Sequence, residues 1–159
     1  MEFRPYYFAR EWVRSGNNVT IIASDYSHLR RKNPTAASDF TKETIDGITY
    51  LWVKAGEYDG NGVKRALSMA RFVHKIRAAA SKLAAEYRPD VVVCSSTYPL
   101  DTYAGQKLRR EAGKQGLNTV LVHEVHDMWP ATLYEIGGMS KHNPFVVIMQ
   151  KAENSAYRN

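Results

Sequence analysis

Four polar residues crowd into one short stretch, His123, Glu124, His126 and Asp127, directly after the apolar run Thr119-Val120-Leu121-Val122. Imidazoles and carboxylates this close can move protons, hydrogen-bond a polyhydroxylated ligand or chelate a metal. The metal reading fails on spacing. The histidines lie three apart rather than the four of a helical zinc motif, and along a strand positions 123 and 126 face opposite sides. The single cysteine, Cys94, sits inside an apolar run, which excludes an internal disulfide and a multi-cysteine zinc framework.

Two other apolar runs end in polar groups. Val19-Thr20-Ile21-Ile22-Ala23 gives way to Asp25 and Tyr26, and Val91-Val92-Val93-Cys94 to Ser95-Ser96-Thr97. If these runs are parallel strands, their carboxyl ends are where an open sheet binds its ligand. Asp25, Tyr26, Ser96, Thr97, His126 and Asp127 are therefore the candidate ligand residues, and His126 leads them because it has no evident structural duty. Structural alternatives stand beside three of them: Ser96 or Thr97 as caps for a helix opened by Pro99, and Asp127 as a cap for a helical stretch through Trp129-Pro130.

Other signatures do not survive inspection. Tyr103 and Lys107 have the spacing of a reductase pair, but so do Tyr50 and Lys54 inside an expected strand, and no glycine-rich dinucleotide fingerprint accompanies them. Gly60-Asn61-Gly62 follows no strand and continues as Val63-Lys64-Arg65. Neither a P-loop nor a Gly-x-Ser-x-Gly elbow occurs. No cofactor is expected.

The elements that must position these residues follow from periodicity. Residues 5–15 carry Pro5, Phe8, Ala9, Trp12 and Val13 at helical spacing, with Gly16 as the stop. The stretch 29–39, with Arg30-Arg31-Lys32 and Pro34, reads as an exposed loop. Strands are expected at 40–44 and 48–53, joined through Asp46-Gly47 as a hairpin turn. A long amphipathic helix covers 63–87, with Val63, Ala66, Leu67, Ala70, Val73, Ile76, Ala80, Leu83, Ala84 and Tyr87 on its apolar stripe. The run 91–94 should be a parallel strand covered on both faces. A helix from Pro99 to about residue 114, a strand from 119 and a last helix over 144–158 complete the chain. The last helix places Phe145, Ile148, Met149, Ala152 and Ala156 on one face. The order indicates an α/β fold with a mainly parallel sheet.

Composition bounds the rest. The chain has 159 residues, 44% of them hydrophobic and 11% aromatic, enough for the core of one domain over 1–159 and against disorder. No apolar run reaches the about 18 residues of a membrane span, and Met1-Glu2-Phe3-Arg4 opens no signal region. A net charge of +6 favours anionic partners such as phosphorylated ligands, acidic lipid surfaces or nucleic acid, and charge alone does not choose among them. Arg30-Arg31-Lys32 and the basic face of the long helix read as solvated surface, so nucleic acid is not an expected partner.

The stretch Glu124-Val125-His126-Asp127-Met128-Trp129-Pro130, then Leu133-Tyr134-Glu135-Ile136-Gly137-Gly138-Met139-Ser140 and Met149-Gln150-Lys151-Ala152-Glu153, resembles the N-terminal domain of bacterial family-4-type glycosyltransferases. The likeness is to enzymes of capsule, O-antigen and exopolysaccharide assembly, including N-acetyl-fucosamine-type transferases. Arg4-Pro5-Tyr6-Tyr7-Phe8-Ala9, the strand near Ile21, Asp46-Gly47 and Tyr98-Pro99-Leu100-Asp101 fit the same pattern.

That resemblance implies two facing Rossmann-like halves (the GT-B fold). The half present here would bind the acceptor, the other half would bind a nucleotide-sugar donor, and transfer would retain configuration without a metal. It implies that His126 faces the reacting sugar with Asp127 beside it, and that Arg4 follows the position of a glycine-rich loop. It further implies a lipid-linked saccharide acceptor and a cytoplasmic enzyme at the inner membrane face.

Against that pattern the chain lacks a first central strand, expected between the Ile21 and Val92 strands, and a donor-binding half. The 159-residue chain is therefore expected to be inactive alone. The alternative is a non-catalytic module that binds an anionic glycolipid and docks to a membrane.

Overall fold

The computed structural model describes residues 3–28, 30–60 and 62–159. Met1 and Glu2 of the N-terminus, Leu29 at the start of the basic loop and Asn61 of the glycine-rich stretch lie outside the described residues. The chain forms two compact units, 1–72 and 73–159.

In the first unit, helix α1 (Phe3–Arg14) is followed by strand β1 (Thr20–Ser24) and the hairpin β2 (Thr41–Ile45) and β3 (Ile48–Val53). Gly16, at φ +85°, stops α1 by turning the backbone into the left-handed region that glycine enters without steric cost. Asp46 and Gly47 both take positive φ, 52° and 79°, the requirement of a tight two-residue hairpin turn. The sheet order is β1-β3-β2, with β1 parallel and β2 antiparallel to β3. Because β3 lies between two partners, its backbone groups are paired on both sides, and five of its six residues are buried. Ile48, Tyr50 and Trp52 form one face of it and pack with Ala9 and Ala36, flanked by Tyr6 and Val13 of α1. Loop 30–39 is irregular as expected, although its Ala36 joins this core.

Helix α2 (Val63–Tyr87) has the expected boundaries. Val73, Ile76, Ala80, Leu83 and Ala84 are buried, but Val63 is 76% and Leu67 48% exposed. At about 100° per residue these two stand roughly 100° or more round the helix from Met69, Phe72 and Ile76, so the apolar stripe does not extend to them.

The second unit holds the rest. Strands β4 (Val91–Cys94) and β5 (Val120–His123) pair in parallel, with Cys94 opposite His123. A 3-10 turn (Pro99–Asp101) leads into helix α3 (Thr102–Lys114) between them. α3 approaches the strands at Gly105, where a Cβ would lie 2.3 Å from Cys94 Sγ and 2.8 Å from Leu121 Cδ1. Short helix α4 (Ala131–Glu135) and helix α5 (Pro144–Arg158) follow. Asn143 caps α5 by accepting a 2.9 Å hydrogen bond from Phe145 N, and Pro144 opens it.

β1 and β4 belong to separate sheets and are not paired, in keeping with the gap expected between the Ile21 and Val92 strands. Two expectations change here. The strand 91–94 is covered on one face only: Val92 and Cys94 face α3, whereas Val91 and Val93 are 53% and 37% exposed. On α5, Met149 and Ala152 are buried as expected, but Val146 replaces Ile148 on the buried face.

Candidate functional site

The site grows out of the β4–β5 register. Beyond the last pair, Cys94 and His123, Glu124 N donates to Cys94 O at 2.9 Å, so Ser95 and Glu124 leave the sheet as neighbours. The chain then turns and brings His126 back over them. Ser95 Oγ donates to Glu124 Oε2 at 2.6 Å, and His126 Nε2 lies 3.0 Å from both Ser95 Oγ and Glu124 Oε2.

Proton counting assigns the tautomer. Ser95 has one hydroxyl proton and spends it on the carboxylate, so His126 Nε2 must be the N–H that donates to both oxygens. Its Nδ1 has no hydrogen-bond partner among the described residues. The imidazole and carboxylate are 17% and 21% exposed, reachable yet held. This is not a hydrolase triad. Serine and acid meet the same ring nitrogen, so the ring cannot relay a proton from one to the other.

Beneath this cluster Asp101, buried at 7% exposure, accepts a 3.0 Å hydrogen bond from Ser96 N and so fixes the β4 exit. Burial pushes the Asp101 carboxyl above its usual range, opposed by the Ser96 hydrogen bond and the nearby His123. The same burial pushes the Cys94 thiol up to about 12, which makes it an inert packing group. His123 stacks edge-on against Tyr157 of α5, its buried Nδ1 without a protein partner among the described residues.

A small cavity of about 10 Å³, roughly the space one water needs, opens between the strand ends and α5. Ser96, Thr97, His123, Glu124, His126, Asp127 and Tyr157 line it. Four of the expected site residues, Ser96, Thr97, His126 and Asp127, thus converge in the second unit. Neither cap alternative for the β4 exit holds, because the Pro99 turn has no side-chain cap. Asp127 makes no side-chain cap to α4 either; its carbonyl accepts from Trp129 N at 2.8 Å.

Arg4, Asp25 and Tyr26 belong to the first unit. Arg4 stacks over the Phe8 ring at 4.8 Å. Asp25 extends the β1–β3 pairing: its N donates to Val53 O and its Oδ1 accepts from Ala55 N. Tyr26 packs edge-on against Tyr58.

The roles of Ser95, Glu124 and Asp101 escape a reading of strand ends alone. The signal for the first two is the parallel register, which sequence periodicity does not supply. The Tyr103 and Lys107 pair dissolves, since Lys107 is committed to Glu111 at 2.7 Å. Among the described residues no group of three or more His, Cys, Asp or Glu side chains is placed to hold a metal ion.

Helices packed on parallel strands, with polar groups gathered at the strands' carboxyl ends, define a Rossmann-like α/β fold of the ligand-binding kind. The sequence model of Glycosyltransferase Family 4 matches residues 1–159, and the chain belongs to that family. No curated protein and no solved structure matches the chain. A glycosyltransferase domain acts between a sugar donor and an acceptor. No helix among the described residues is long and apolar enough to cross a membrane.

Proposed function

We propose that this chain is the acceptor-side half of a retaining glycosyltransferase. It would position a lipid-linked saccharide, at an anionic membrane surface, for attack on a nucleotide sugar bound by a donor-binding half. Polysaccharide assembly of the capsule or O-antigen kind is the setting. The observation that carries the reading is the clamp of Ser95 and Glu124 on His126 Nε2 at the β4–β5 strand ends.

The clamp fixes the ring and leaves Nδ1 to accept a hydrogen bond from a sugar hydroxyl. When the ring takes a proton, the Glu124 carboxylate 3.0 Å away stabilises the imidazolium. Asp127 and Thr97, exposed on the cavity rim, supply further hydroxyl-binding groups. The cavity of about 10 Å³ is far too small for a sugar, so the second unit offers a reacting edge, and the rest of the substrate must be enclosed by other parts of the enzyme.

The test is a transfer assay with a nucleotide sugar and a short-chain prenyl-diphosphate saccharide, run on the chain and on the chain joined to a donor-binding half. The chain alone should transfer nothing while the saccharide shifts the His126 imidazole resonances. Sugar transfer by the chain alone would overturn the half-enzyme reading, and unmoved His126 resonances would overturn the acceptor role.

A further inference from the structure

Helices α4 and α5 and the segment joining them frame a second cavity, of about 220 Å³, which shares no lining residue with the one at the strand ends. It is smaller than the about 300–1,000 Å³ of a drug-sized site and suits a ligand of one ring. Tyr134, Val146 and Val147 give it apolar walls, and Lys141, Gln150 and Lys151 are its polar groups.

The local fold holds these walls in place. Trp129 packs edge-on against Phe145 with ring centres 6.1 Å apart, which ties the approach to α4 to the first turn of α5. Past α4 the chain runs so close to the helix that a Cβ at Gly137 would lie 2.7 Å from Leu133 O. Gly137 N donates to Thr132 O and Met139 N to Leu133 O, both at 3.0 Å. Backbone contacts thus set the segment that delivers Lys141.

The polar groups divide into two cations and one acceptor. Lys141 Nζ lies 4.5 Å over the Tyr134 ring and 3.4 Å from Glu135 Oε1, an exposed carboxylate that does not line the cavity. Lys151 has no hydrogen-bond or ion-pair partner among the described residues. Two ammonium groups therefore stand against one acid, and the rim is positive. Gln150 spends both amide protons outside the cavity, on Glu153 Oε2 at 2.6 Å and Asn154 Oδ1 at 3.1 Å. Because a carboxylate only accepts, the amide is fixed in orientation, and its carbonyl oxygen is what Gln150 offers a ligand.

We infer that this cavity binds a small organic anion: one apolar ring bearing an acid group for Lys141 and Lys151 and a hydroxyl that donates to Gln150 Oε1. Hydroxyaromatic carboxylates are the class. The apolar walls reward burial of a flat hydrocarbon body, which an inorganic anion lacks. The lysines reward a negative charge through charge-assisted hydrogen bonds that a neutral ring does not form. Such a ring has no place at the strand ends, where the cavity is about 10 Å³, so the site is independent of the role proposed for His126.

Titration of the chain with para-hydroxybenzoate, followed by calorimetry and by its amide resonances, tests this against phenol and acetate. para-Hydroxybenzoate should shift the amides of residues 134–151 and leave the His126 imidazole unmoved. It should bind about tenfold tighter than phenol, which lacks the charge, and than acetate, which lacks the ring. Lys141→Gln and Lys151→Gln alter exposed side chains, so each should keep its melting temperature while weakening para-hydroxybenzoate about tenfold.

No binding by the wild-type chain overturns the inference. Equal affinity for phenol overturns the charge recognition, and equal affinity for acetate reduces the cavity to a pair of lysines. Binding that survives both folded lysine variants, or shifts confined to the strand ends, places the ligand elsewhere and equally overturns it.

Discussion

The two pairs of parallel strands in this chain are built to different standards of burial. β3, paired with β1 and β2, buries both of its faces, and Ile48 and Val53 are wholly inaccessible. β4 and β5, each with one partner, cover Val92, Cys94 and Leu121 with α3 but leave Val91, Val93, Val120 and Val122 at 53%, 37%, 55% and 41% exposure. The chemistry-bearing residues are carried by the second pair. The lesson is that the proposed site residues at these strand ends do not owe their placement to deep burial of the strands. It comes from one close helix contact at Gly105, one parallel register, and the Ser95, Glu124 and Asp101 hydrogen bonds.

The contrast can be broken first by truncating the strands. Ile48→Ala should cost about 2–5 kcal/mol, the range for emptying a closed core position, whereas Val93→Ala should cost less than about 1 kcal/mol because water already reaches it. Urea unfolding of the two variants checks this, and equal losses would erase the distinction.

Next comes the helix contact. Gly105→Val would drive a side chain into Cys94 and Leu121, and at about 1–3 kcal/mol for overpacking it should lower the melting temperature and disturb the His126 resonances. A variant with wild-type His126 signals would show that α3 does not set the site.

The smallest effect is a pH dependence. Glu111, bonded to Lys107 and Lys114, titrates at about 2 instead of 4.5. A carboxylate lowered in the folded state supports folding fully above its unfolded value and loses that support as pH falls through the folded one. The Glu111 contribution should therefore persist at pH 4.5 and disappear toward pH 2, and Glu111→Gln should flatten that part of the stability curve. Asp101 works the other way. Its raised value means that its contribution is greatest below about 3.8 and declines as pH rises through the folded value, so Asp101→Asn should gain relative to wild type toward neutrality. Melting temperatures across the range read both.

Much of this was legible in the residues. Gly16 and Asp46-Gly47 mark element ends by backbone chemistry that acts locally, and the observed boundaries fall beside them. Local periodicity also found α1, α2 and α5. It misjudged which aliphatic side chains are covered, at Val63, Leu67, Val91, Val93 and Ile148, because coverage depends on which elements pack there and not on the pattern itself.

The site divides in the same way. His126 stood out by position, as did Ser96 and Thr97, whereas the pairing of Ser95 with Glu124 needs the three-dimensional register. Asp25 drew attention as a polar strand end, and its carboxylate is engaged by the Ala55 backbone of its own unit.

The most direct test of the central claim is steady-state transfer by the chain joined to a donor-binding half and carrying His126→Ala. If the clamped imidazole acts on the reacting sugar, kcat should fall about 10²-fold while donor and acceptor KM values move little, since the interaction is made in the transition state. An unchanged kcat would contradict the account.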